Sequence, residues 1–286
     1  MRMNADSFLK EVLGSDSCPG GFEQMYADFQ GYQRAAMQTL LEFHRVCELN
    51  GVRYQLAYGS LLGAIRDGGQ IPWDYDIDVF VPYCEKDKLI AALRKDLGEG
   101  FYFYCPEADP KCRHYMMRVT PKGMRSEGLH VDVFYIIGAP DEGVKAFGEA
   151  CFDVFQARYD KLVNAREECM GNARRYARLL VNKFRRLPMT LEKLDAACAD
   201  LCSRYDLWQS QNCISFDDES AKYVYRTDLL WDTMLFETRD GVFRITKNYD
   251  DVLRRVYGDY TSVPSLEGRI GEMMRTMKRL KYYEAR

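Results

Sequence analysis

Two aspartates separated by one residue, Asp76 and Asp78, follow a Gly59-Ser60 pair in a stretch that alternates apolar and acidic side chains. Strand residues two apart point to the same face, so both carboxylates project together while Ile77 and Val79 enter a core. Like charges this close resist joint ionisation, and a divalent cation removes that cost. Hard oxygen ligands suit Mg²⁺ or Mn²⁺. Gly59 lets the backbone approach a ligand closely, and Ser60 is expected to cap the next helix, whose free N–H groups favour phosphate. An isolated Asp-x-Asp is usually a solvated pair, and a lone Gly-Ser is usually a turn. In this order, joined by a strand–helix–strand pattern, they point to a metal-dependent site for a nucleotide or another phosphate ester.

The elements that must position these groups can be read around them. Residues 30–49 form a helix with Ala36, Leu40, Phe43 and Cys47 in its apolar stripe, closed by Asn50-Gly51. Val52 to Tyr58 reads as a strand, Ser60 to Arg66 as a short helix, and Asp76 to Val81 as the second strand. Lys86 to Leu97 is a helix, followed by strands at Phe101–Cys105, His114–Val119 and His130–Ile136. A mixed sheet with helices packed on it follows from this order. The second part is mainly helical. Phe147, Cys151, Val154 and Phe155 share one face, and Ala173, Tyr176, Ala177, Leu180, Phe184 and Leu187 share another, ended by Pro188. Thr190 caps a third helix, Asp240-Gly241 centres a β-hairpin over Leu235–Ile245, and Asn248 opens the last major helix, closed by Gly258.

The stretch Gly59-Ser60-Leu61-Leu62-Gly63-Ala64-Ile65-Arg66, then Ile71-Pro72-Trp73-Asp74-Tyr75-Asp76-Ile77-Asp78, resembles the signature of the LicD family, a branch of the nucleotidyltransferase superfamily. The family usually has an aspartate where this chain has Tyr75, which alternates away from Asp74 and Asp76 and is not expected to be a metal ligand. His130-Val131-Asp132-Val133-Phe134 is similar to the family's second carboxylate strand. Tyr249 to Leu253, Tyr257-Gly258-Asp259-Tyr260 and Pro264 resemble its C-terminal segment. The resemblance covers roughly residues 40–270, weakly in the middle. It implies an α+β fold with a nucleotidyltransferase-like mixed β-sheet core, helices packed on it and an added helical region. The expected division is a lead-in over 1–29, a catalytic core over 30–140 and a mainly helical region with a β-hairpin over 141–286.

On this reading Asp76, Asp78 and Asp132 hold one or two Mg²⁺ or Mn²⁺ ions, with Asp132 also the favoured base. Gly59, Ser60, Arg66, Arg118 and Lys122 are candidates for the phosphates, with ordinary surface charge the competing explanation for Arg118 and Lys122. Asp74 and Tyr75 complete the substrate-binding motif. Trp73 is either a packing anchor or a platform for a base or a cationic head group. The resemblance implies transfer of a phosphorylated alcohol, commonly phosphocholine, from a cytidine-diphosphate (CDP) donor to a hydroxyl of a glycan or lipid-linked glycan such as lipopolysaccharide, teichoic acid or capsule precursors. Two other classes stay open: a nucleotidyltransferase leaving a nucleoside monophosphate on a small molecule, sugar or protein, and a non-catalytic binder. The binder is disfavoured because the three carboxylates and the Gly-Ser pair are all present.

Composition sets limits. The net charge of −3 argues against a general nucleic-acid binder. No apolar run is long enough for a membrane span, and the polar N-terminus lacks the apolar centre of a signal peptide, so a cytoplasmic location is expected. The ten cysteines are then expected to be reduced, with Cys47, Cys151, Cys198 and Cys202 on apolar faces of helices. Cys105, Cys112 and His114 are considered for zinc, but their spacing is irregular and a fourth ligand is not identifiable. The segment with Arg174, Arg175, Arg178, Lys183, Arg185 and Arg186 is a basic amphipathic helix, read as a solvated charged face or as peripheral contact with the inner membrane surface.

Overall fold

The computed structural model describes residues 2–16, 18–109, 112–123, 128–163, 173–185, 189–217, 220 and 222–284. It is a mixed α/β fold built around one long strand, β5 (Val131–Ala139). Every β5 residue except Asp132 is buried, the near-continuous apolar run of a strand covered on both faces. β2 (Ile77–Pro82) pairs with it in parallel from Ile77↔Val131 to Pro82↔Ile136. On the other side β4 (Met117–Pro121) pairs antiparallel with its first residues, and β6 (Asn212–Ser215) with its last. The sheet is completed by β1 (Gln55–Leu56) outside β2, β3 (Phe101–Tyr104) outside β4 and β7 (Val224–Arg226) outside β6. β8 (Thr233–Thr238) and β9 (Gly241–Thr246) form the expected hairpin, turning at Arg239-Asp240.

Helices supply the packing. α1 spans Ala5–Leu13 and α2 Phe22–Asn50, the latter stopped by Gly51 in the left-handed conformation at φ 61°. α2 crosses β2, β5 and β4 and fills the core with Phe29, Leu40, Phe43 and Cys47. α3 (Tyr58–Leu62) continues into a π-helical turn at Gly63–Asp67, and α4 covers Lys86–Asp96. α5 (Val144–Leu162), α6 (Ala173–Arg185) and α7 (Leu191–Ser203) follow, Thr190 accepting from the Lys193 N–H as its cap. α8 (Thr227–Leu230) precedes the hairpin; α9 (Tyr249–Tyr257) and α10 (Leu266–Glu284) come last.

Several expectations differ from the observed chain. The lead-in contains α1, capped by Asn4 and anchored by Phe8 and Val12, both fully buried. The helix closed by Gly258 is not the last, because α10 buries Ile270, Met273, Met277 and Leu280 at helical spacing. α6 buries Leu179, not the Leu180–Phe184 side. Arg186, Leu187 and Pro188 lie outside the described residues.

Candidate active site

The carboxylates are brought together by strand register. Asp78 on β2 and Asp132 on β5 are directly paired neighbours, and Arg118 on β4 is paired with Asp132. A row of aspartate, aspartate and arginine therefore crosses three adjacent strands at a spacing of about 4.8 Å per strand. Leading into and along β2, Asp74, Asp76 and Asp78 are half-buried while the alternating Tyr75, Ile77 and Val79 are buried, the period of two expected from sequence.

Local geometry fixes this arrangement. Ala57 is extended, and Tyr58 follows with a positive φ of 40°, a conformation rare for a side-chain-bearing residue. That turn starts α3 two residues earlier than expected and corrects the role of Ser60. Ser60 does not cap the helix; its Oγ accepts from the Asp78 N–H at 2.8 Å and ties α3 to the start of β2. Gly59 then lies against the acidic set: a Cβ there would stand 3.3 Å from Asp74 Oδ2 and 3.9 Å from Asp78 Oδ2. Asp74 Oδ1 accepts from the Asp76 N–H at 3.2 Å, and Gln33 on α2 donates to the carbonyls of Ile71 and Asp74 at 3.0 and 2.7 Å.

The electrostatics separate the aspartates. Burial and the charge of Asp76 push the Asp74 carboxyl up to about 7. Burial, then Asp132, Asp76 and Asp74, raise Asp78 well above the usual range. Burial would also raise Asp132, but the Arg118 guanidinium and His130 override it and hold that carboxyl far below the ordinary value. Arg118 Nε donates to Asp132 Oδ1 at 2.7 Å, and His130 Nε2 lies 3.1 Å from Oδ2. So firmly ionised a group is a poor general base near neutral pH, which weighs against that role for Asp132. Its carboxylate suits an ionised ligand.

A cleft of about 430 Å³ opens beside this row, walled by Asp76, Asp78, Asp132, Arg118, Phe155 and Tyr159, with His114 and Arg279 also on its lining. Among the described residues no group of three or more His, Cys, Asp or Glu side chains is arranged to hold an ion as it stands. Asp74, Asp76 and Asp78, with Gly59 leaving space at the Asp74 and Asp78 oxygens, nevertheless form an all-oxygen set of crowded carboxylates, which fits a hard divalent cation. Cys105 is in the core, and Cys112 Sγ donates to the His114 carbonyl at 3.4 Å.

The remaining candidates have other places. Arg66 pairs with the buried Asp67 at 2.8 Å. Trp73 is buried between Phe8 and the guanidiniums of Arg66 and Arg269, 5.5 and 5.3 Å from its ring, which makes it a packing anchor. Tyr75 is buried. Lys122 is exposed on the turn after β4, where its N–H donates to the Gly100 carbonyl, away from the cleft. Sequence reasoning missed Asp217, a buried carboxylate just beyond β6 that accepts from Tyr58 Oη at 3.3 Å and from the Ser215 hydroxyl and adds to the pressure on Asp78. It also missed Gln33 and Arg279, and it considered His114 only for zinc, whereas His114 lines the cleft. α9, which carries the C-terminal motif, packs on α3.

The structure is a mixed α/β domain with an acidic cleft at one strand row. Residues 51–146 match the family described as LicD/FKTN/FKRP, nucleotidyltransferase domain. The chain is 22% identical over 254 residues to the lipopolysaccharide cholinephosphotransferase LicD of Haemophilus influenzae, covering 82% of this chain and 92% of that protein. It is also 54% identical over 46 residues to the ribitol 5-phosphate transferase FKRP of mouse and human, a match spanning 16% of this chain and 9% of theirs.

Proposed function

We propose that this protein transfers a phosphorylated alcohol, most simply phosphocholine, from a CDP-linked donor to a hydroxyl of a glycan or lipid-linked glycan, with Mg²⁺ or Mn²⁺ as cofactor. The observation that carries the reading is the in-register pairing of Asp78 with Asp132 beside Asp76, opening on a cleft that also holds Arg118. The names and functions of the LicD and FKRP relatives support the phosphoalcohol as the transferred group.

Asp76 and Asp78 would hold the ion, with Asp132 as the third carboxylate. When bound, the ion neutralises charge on the phosphate oxygens. Arg118 keeps Asp132 ionised and adds positive charge beside the reacting phosphate. Phe155 and Tyr159 restrict water and give the alcohol a partly aromatic wall. The acceptor oxygen forms a bond to phosphorus, the bond to cytidine monophosphate breaks, and the hydroxyl proton passes to a carboxylate of the acidic set.

Incubation with labelled CDP-choline, Mg²⁺ and a lipopolysaccharide acceptor tests the reading. Release of cytidine monophosphate with label on the acceptor is the expected result. Conversion of a nucleoside triphosphate to pyrophosphate would replace it with nucleotidyl transfer, for which the family's nucleotidyltransferase description speaks. Turnover of neither by folded protein, across a panel of CDP-alcohols, would overturn both.

A further inference from the structure

α6 turns its apolar side away from the protein. At 100° per residue, Ala173, Ala177, Leu180, Val181 and Phe184 fall within an arc of about 100°. Leu180, Val181 and Phe184 are 43%, 49% and 74% exposed. The opposite side is the one that docks: Leu179 is buried on Val163 with Tyr159 and Tyr176 around it, Asn182 Nδ2 donates to Asp160 Oδ2 at 3.2 Å, and Lys183 Nζ to the Lys161 carbonyl at 3.3 Å. A surface helix of a water-soluble protein does the reverse, burying its apolar arc and showing its polar one. Arg174 and Arg178, both exposed, border the arc. From Ala173 to Arg186 the sequence carries six Arg or Lys residues and no Asp or Glu.

An outward apolar arc flanked on one side by guanidiniums is complementary to a surface that is anionic above and hydrocarbon below. We propose that α6 docks this protein on an anionic lipid bilayer, lying in the headgroup plane with Leu180, Val181 and Phe184 inserted and Arg174 and Arg178 on lipid phosphates. Thirteen residues make a helix about 20 Å long, short of the roughly 30 Å hydrocarbon core. Among the described residues no helix is long and apolar enough to cross a membrane. The helix therefore lies on the membrane without spanning it. The inference goes beyond the transfer reaction and does not depend on it.

Flotation of the full chain with phosphatidylcholine vesicles, with and without phosphatidylglycerol, tests this directly. The protein should float with the mixed vesicles, not with phosphatidylcholine alone, and less at high salt. Leu180→Ser with Phe184→Ser should lower the partition coefficient about tenfold or more, from the apolar area no longer buried. Arg174→Glu with Arg178→Glu should abolish the preference for phosphatidylglycerol, and both pairs should keep the parent melting temperature because the altered side chains face outward. Failure to float with mixed vesicles, or unchanged partition of the Leu180/Phe184 variant, would overturn the proposal. So would self-association in solution that the same variant removes, since a second copy would then be what covers the arc.

Discussion

Replacing Asp74 by asparagine should make the metal-free protein more stable, and more so at higher pH. Asn is nearly isosteric and keeps the Oδ1 acceptor for the Asp76 N–H. What it removes is one negative charge from a set that already includes Asp76 and Asp78 beside Gly59. The Asp74 carboxyl is held at about 7 in the folded chain, against about 3.9 when unfolded. The folded state therefore binds this proton more tightly than the unfolded state, so stability declines as pH rises from about 4 to about 7 and the full penalty stands above that. Three pK units set a ceiling of about 4 kcal/mol at pH 8, falling to about a third of that at pH 5. Asp74 is only partly buried, and solvent screening brings the expected gain down to about 1–2 kcal/mol. At about 2 °C per kcal/mol for a chain of this size, Asp74→Asn should melt about 2–4 °C higher at pH 8.

The assay is a set of thermal melts in chelator at pH 5 and pH 8, repeated with millimolar MgCl₂ or MnCl₂. Metal should raise the wild-type melting temperature at pH 8 and raise the Asn variant less, because the cation offsets the same repulsion that the substitution removes. An Asn variant that melts at or below wild type at pH 8 would refute the reasoning. A gain of equal size at both pH values would also refute it, because it would have nothing to do with the carboxylate's charge.

Arg118→Met should cost about 3 kcal/mol in urea denaturation by leaving Asp132 without its cation, and adding Asp132→Asn should recover most of that loss; additive effects would mean the pair is not coupled. Gly63→Ala places a Cβ 2.5 Å from the Gly69 carbonyl oxygen and 3.1 Å from the Ile71 nitrogen, both backbone, so a loss of about 2–4 kcal/mol is expected by the same method. Tyr58→Phe removes the Oη donor to Asp217 and should lower stability by about 1 kcal/mol, read by denaturant midpoint. Lys122→Ala should leave turnover and melting temperature within error of wild type, since Lys122 stands off the cleft; a marked loss of kcat/KM would return it to the site.

The acidic pair was legible because a two-residue period is a local property: Asp76 and Asp78 must share a face whatever the rest of the chain does. The strand around Asp132 was legible for the same reason. Ser60 was misread because a cap depends on where the backbone turns, and the positive φ of Tyr58 moves the start of α3 upstream. Asp217 carries no local pattern at all. It reaches the site only because β6 pairs with the far half of β5, a contact between residues nearly 80 positions apart in sequence (Ile137↔Ile214, Ile136↔Ser215). α10 was readable in principle from Ile270, Met273, Met277 and Leu280, but its interleaved Arg and Lys residues disguised the stripe. For α6 the apolar arc was visible in the sequence and its direction was not, since periodicity defines a face without saying whether protein or solvent lies against it.

α5 links the two surfaces. Its Phe155 and Tyr159 wall the acidic cleft, and the same Tyr159, with Val163 beyond the helix end, forms the seat for Leu179 of α6. The outward arc of α6 thus stands one helix layer, about 10 Å, from the cleft wall. A lipid-linked acceptor presented from a bilayer under α6 would be held on the side of the protein where α5 walls the cleft. For a membrane-bound substrate, docking replaces a search through solution by one in two dimensions, and raises the local acceptor concentration without any further contact in the cleft. Vesicle-borne acceptor should therefore be turned over at a lower bulk concentration than the same glycan freed of its lipid, and the Leu180/Phe184 variant should erase that difference by raising KM and leaving kcat in place. An equal loss of kcat on both acceptors would instead place the damage in the cleft itself, transmitted through Tyr159.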